Sequence, residues 1–65
     1  MTIEAWIQNQ VNSGKEAEIS LTLLERQMYE QEIKSWIKST AKKLNCTAIV
    51  HWASNVVTFY PRTML

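Results

Sequence analysis

From Thr22 to Leu44 the chain holds neither glycine nor proline, and this stretch constrains the fold more than any other. It is rich in Glu, Gln, Lys, Leu, Ile and Ala, most of them good helix formers. The reading is one long helix over residues 22–45, with the remainder placed around it. Thr22, Leu23, Leu24 and Glu25 fit a capping box, in which the threonine hydroxyl and the glutamate each satisfy a free amide of the first turn. Asn45 suits the stop, because asparagine tolerates the left-handed conformation that ends many helices. Lys42 and Lys43 fall in the last turn, where the helix dipole favours cations.

At about 100° per residue, Tyr29, Ile33, Trp36, Ile37, Thr40, Ala41 and Leu44 share one broad face, which is the expected core stripe. A second stripe conflicts with it. Leu21, Leu24 and Met28 point well over 90° away from the centre of that face, while Arg26 projects into its sector with Glu30 one turn along. Two covers for the second stripe remain open: another element of the same chain, or a second copy of it.

Sixty-five residues make one domain. A chain of that size buries only about 60% of the surface exposed when unfolded, and such cores supply roughly 3–5 kcal/mol without a staple. Cys46 is the sole cysteine, so no internal disulfide exists. A reducing, cytoplasmic compartment is therefore expected. No apolar run is long enough to span a bilayer, and the N-terminus lacks the pattern of a signal peptide. A tight core, helped by three tryptophans, or oligomerisation must supply the stability.

Residues 3–12 read as a short amphipathic helix, with Thr2 as cap and Glu4 in the first turn. Ile3, Trp6, Ile7 and Val11 form its apolar edge, and Gly14 follows its end. Residues 16–22 fit two elements. Ala17, Ile19 and Leu21 alternate with Glu18, Ser20 and Thr22 at strand period, which favours a short strand over an early helix start capped by Ser20. Residues 47–52 and 56–60 are rich in β-branched and aromatic types, with Ser54 and Asn55 as the tip of a hairpin. That tip pairs Trp52 with Val57, His51 with Thr58, Val50 with Phe59 and Ile49 with Tyr60. Val50, Trp52, Val57 and Phe59 then face the long helix, and Ile49, His51, Thr58 and Tyr60 share the outer face. Pro61 ends the second strand or leaves it at a sheet edge, and residues 62–65 read as a loose tail. The expected class is α+β, in the order α-β-α-β-β, with a small sheet packed on the long helix.

Catalytic and metal chemistry find few carriers. Cys46 and His51 are the only strong soft ligands, and structural zinc takes four. There is no aspartate to orient the histidine, and a nucleophile needs both a base and an orienting group. A lone Gly14 excludes a phosphate-cradling loop. The expectation is no enzyme, no metal and no cofactor.

Charge is polarised along the chain. Residues 1–32 hold six glutamates against Lys15 and Arg26; residues 33–65 hold Lys34, Lys38, Lys42, Lys43 and Arg62 with no acid. Lys34, Lys38 and Lys42 recur at every fourth position and form a straight stripe suited to tracking phosphates. The helix and hairpin of residues 30–60 resemble the last helix and wing of winged-helix DNA-binding domains. They lack a helix-turn-helix pair, and the stripe has no arginine, the usual reader of guanine. A nucleic-acid interface on Lys34, Lys38, Lys42 and Lys43 is accordingly the second reading. The first is a small binding protein that regulates or inhibits a larger protein partner, or self-associates as a homodimer. Its expected interface is Leu21, Leu24 and Met28 with Ile49, His51 and Tyr60, apolar or aromatic groups that lack an obvious cover. Accessory proteins of bacteriophages and mobile elements share this profile by analogy.

Overall fold

The computed structural model describes residues 2–62 of the chain. The expected tail lies, beyond Arg62, outside the described residues. Helix α1 spans Ile3–Asn12 and strand β1 spans Ala17–Ser20. Two helices follow, α2 at Leu21–Glu25 and α3 at Glu30–Lys43. Strands β2, Cys46–His51, and β3, Val56–Pro61, close the chain as a hairpin. The sheet is antiparallel in the order β1-β3-β2. This is a small α+β domain whose three strands pack on its helices.

The termini of α1 follow from local chemistry. Thr2 Oγ1 accepts the Ala5 amide at 3.1 Å. Gly14 turns the chain away with φ 77°, a conformation that costs glycine nothing.

The long helix does not run through. Between α2 and α3 the chain breaks at residues 26–29, and Tyr29 is extended at φ −74°, ψ 158°. The physical reason is the conflict between the two apolar stripes. A continuous helix would leave Leu21 and Leu24 pointing away from the core and turn Arg26 toward it. Breaking the helix forfeits a few backbone hydrogen bonds, each worth about 0.5–1.5 kcal/mol net. Burying one leucine side chain gains about 1.5–3 kcal/mol. After the break Leu21 and Leu24 are 3% and 0% exposed, and Arg26 lies in solvent. Tyr29, expected on the core stripe, is 82% exposed, because it sits ahead of α3.

The caps change with the break. Thr22 does not open a helix; Ser20 does, its hydroxyl accepting the Thr22 amide at 3.2 Å. At the start of α3 the Glu32 carboxylate accepts the Tyr29 amide at a long 3.5 Å. Asn45 ends α3 as expected, with φ 55°.

The inner face of the sheet carries Ala17 and Ile19 of β1, Val57 and Phe59 of β3, and Ala48 and Val50 of β2. Ile7 of α1, Leu21 and Leu24 of α2, and Ile33 and Ile37 of α3 join these strands in one buried cluster. The Trp36 ring meets Phe59 edge-on, with centroids 6.1 Å apart at 85°. Lys43 Nζ reaches Glu4 Oε1 at 2.8 Å and ties the end of α3 to the start of α1. Both groups are well hydrated, so the pair is worth at most about 1 kcal/mol.

The hairpin register differs from expectation by two residues. Val50 pairs with Val57, Ile49 with Thr58, Ala48 with Phe59 and His51 with Val56. The loop therefore has four residues, Trp52 to Asn55, with Asn55 at φ 56°. The Ser54 and Asn55 amides donate to the His51 and Trp52 carbonyls, each at 3.2 Å. Asn55 also fastens this loop to α2: its Nδ2 donates to Thr22 Oγ1 at 2.8 Å, and its carbonyl accepts the Leu21 amide at 2.9 Å. A two-residue slip keeps every strand side chain on its expected face. Only Trp52 changes environment, leaving the sheet for the loop.

Candidate functional site

The structure separates the residues that the sequence grouped as an interface. Leu21 and Leu24 are core, and Met28 is packed half-buried against it. The chain itself covers Leu21 and Leu24, and of this stripe only the half-buried Met28 reaches the surface. The other three lie together. Ile49, His51 and Tyr60 share the outer face of the sheet, Ile49 being 47% exposed.

On that outer face Tyr60 Oη and His51 Nε2 approach to 3.4 Å. Their register positions stand four residues apart, about 13 Å along the strands, with the Ile49–Thr58 pair between. The two side chains therefore lean toward each other across this pair. Thr58 is only 3% exposed on a face whose neighbouring Glu18 and Ser20 lie in solvent. The outer face is thus partly closed by its own residues, with Ile49 left open.

The lysine stripe also divides. Lys34, Lys38 and Lys42 are exposed, whereas Lys43 turns to Glu4 on α1. Lys34 and Lys38 stand over a groove of about 410 Å³ between α3 and β2. Its floor is apolar: Ile33, Ile37 and Ala41 from α3, Ala48 and Val50 from β2, and Trp52 at one end. Glu25 and Glu30 border the end near Trp52, and Lys34 and Lys38 continue the rim along α3. Among the described residues none of these four charges has an ion-pair partner.

Sequence reasoning missed this groove. Its apolar floor was legible as the core stripe of residues 33–41, but the gap was not. Trp52, displaced into the loop and 66% exposed, lines the groove together with residues of α3 and β2. Trp6 and Leu23, 37% and 43% exposed, form a smaller apolar patch beside β1.

Cys46 and His51 occupy opposite ends and opposite faces of β2, so they form no catalytic pair. Burial pushes the Cys46 thiol above its ordinary pKa, with the Arg62 guanidinium opposing to a lesser degree. The protonated thiol is a poor nucleophile. Alkylation of Cys46 by iodoacetamide at neutral pH should therefore run at least about tenfold slower in the native chain than in urea. Equal rates would mean that the β2 start is open to solvent. Among the described residues no three His, Cys, Asp or Glu side chains gather to hold a metal ion, and no helix is long and apolar enough to cross a membrane.

Comparison with family models, with curated proteins and with solved structures finds no match to this chain. Its function is argued from its own surface.

Proposed function

We propose that this chain is a small non-enzymatic binding protein of the cytoplasm that regulates or inhibits a larger protein by docking on it through the surface around β2. The observation that carries this reading is the concentration of exposed apolar groups there. Ile49 and Trp52 lie in solvent on either side of a strand that borders an open apolar groove. Large exposed apolar groups beside an open groove are a mark of interaction surfaces, and tryptophan is enriched among the residues that dominate binding energy.

The test is site-directed photo-crosslinking in the source cells. A photoreactive phenylalanine analogue replaces Trp52 in one variant and Gln8, on the exposed side of α1, in another. Position 52 should give one discrete adduct with a heavier protein, and position 8 none. Adducts of equal yield at both positions, adducts of the chain with itself alone, or no adduct from position 52 would each overturn the reading.

The second reading, nucleic-acid binding, draws on the exposed Lys34, Lys38 and Lys42, which have no ion-pair partner among the described residues. With Lys43 engaged by Glu4, the stripe offers three contacts. Affinity for an oligonucleotide would then fall with a log–log salt slope of about −2 to −3. Binding indifferent to salt would count against it.

A further inference from the structure

We infer that the free edge of β2 takes an extended segment of the partner as a fourth strand. This segment runs antiparallel to β2 and fills the α3–β2 groove with alternate apolar side chains. It carries a basic residue toward its N-terminal end and acidic residues toward its C-terminal end. The inference rests on the docking reading above and specifies the chemistry of the partner.

The first observation is topological. In the order β1-β3-β2, β2 bonds to β3 on one side, and its other edge is unpaired among the described residues. Exposed edges in natural sheets are guarded by charge, proline, bulges or shortness, because a free edge templates the addition of another strand. β2 has none of these guards. Its six residues, Cys-Thr-Ala-Ile-Val-His, include no charged side chain and no proline. Its register with β3 runs from Cys46 to His51 without a bulge. The opposite edge, β1, is guarded: it has four residues, with Glu18 in its middle and Glu16 just before it.

The second observation is the groove beside that edge. A strand added to β2 lies about 4.8 Å away, and every second side chain points to the helix side of the sheet. There it meets the floor of Ile33, Ile37, Ala48 and Val50. Main-chain hydrogen bonds supply affinity in this mode of recognition, and pockets for alternate side chains supply specificity.

The third observation is the order of charges. α3 leads into β2 through the two residues Leu44 and Asn45, so the two elements run in opposite directions. Glu25 and Glu30 therefore stand beside the Trp52 end of β2, and Lys38 stands nearer its beginning. A strand antiparallel to β2 runs in the direction of α3. Its N-terminal half passes the two glutamates, and its C-terminal half passes Lys34 and Lys38. Charge complementarity of this kind fixes register and suppresses wrong partners.

Two β2 strands paired about a two-fold axis would set their α3 helices antiparallel and bring Glu30 of one toward the lysine end of the other, so a second copy is the rival occupant that the test separates.

The test is a selection of random ten-residue peptides displayed on phage against the immobilised full chain at low salt, followed by hydrogen exchange on the complex of the best peptide. Enriched peptides should alternate apolar with polar residues and place their acids after the apolar run. The amides of residues 46–51 that point away from β3 should exchange at least about tenfold more slowly in the complex than in the free chain. The K34E/K38E variant should lose at least about tenfold in affinity for these peptides. Both lysines are exposed, and circular dichroism checks that the fold persists. The inference is overturned by peptides without the charge order, by unchanged β2 exchange, by unchanged affinity in K34E/K38E, or by no enrichment. It is also overturned if β2 amides of the free chain become protected as concentration rises, since a second copy is then the occupant. Peptides that map to Ile49 and Tyr60 without protecting β2 overturn the edge assignment and leave the docking reading standing. The crosslinking result tests that reading separately.

Discussion

Leu24→Ala is expected to leave the chain largely unfolded at room temperature. Leu24 is 0% exposed and is one of the largest fully buried side chains. Truncating such a leucine costs about 2–5 kcal/mol, the loss of transfer energy plus the cavity left behind. A domain of this length has a total of roughly 3–5 kcal/mol to lose. The element that carries the residue adds to the effect, since α2 has five residues and helices this short have no stability of their own. Urea denaturation followed by tryptophan fluorescence should place the midpoint of Leu24→Ala near zero denaturant. Leu23→Ala, one residue away but 43% exposed, should stay within about 0.5 kcal/mol of the parent. A Leu24→Glu, Met28→Glu double variant should likewise unfold. If it instead remained folded and changed only its sedimentation mass, the stripe would be an interface after all.

Phe59→Ala is expected to have an effect of equal or larger size. Phe59 lies on the central strand, is 0% exposed, and pairs with Ala17 on one side and Ala48 on the other. The small neighbours leave its ring to fill the space between sheet and helices. Removing it costs about 3–5 kcal/mol, and the edge-on contact with Trp36 adds about 0.5–1.5 kcal/mol. Phe59→Leu keeps most of the volume and should retain the fold with a reduced midpoint. Near-ultraviolet circular dichroism reads the difference directly, through Trp36. If Phe59→Ala retained both its midpoint and its aromatic signal, the sheet would not be packed on α3 as described.

Much of the architecture was legible because it depends on local chemistry. Thr2, Gly14 and Asn45 mark helix ends through a hydroxyl acceptor and two left-handed conformations, and each does so in the structure. The alternation of Ala17, Glu18, Ile19 and Ser20 marked β1, and the β-branched runs marked the hairpin. The candidate site was less legible. Ile49, His51 and Tyr60 could be placed on one face because strand parity survives an even slip of register. The groove under Lys34 and Lys38 could not be placed, because a helix face that reads as core does not reveal where its cover stops.

The sequence by itself determined which side chains must leave water and where short-range geometry turns the chain. Those are properties of neighbours within one turn or one strand. The tertiary structure alone decided the break at residues 26–29 and the position of Trp52. The residues around Tyr29 have good helix propensity, and the penalty for continuing the helix arises only when Leu21, Leu24 and Ile33 compete for one core. Trp52 left the sheet because the carbonyl and side chain of Asn55 bond to Leu21 and Thr22, more than thirty positions earlier. Contacts between residues so far apart carry no local signature, and in this chain they shape the surface on which its proposed function rests.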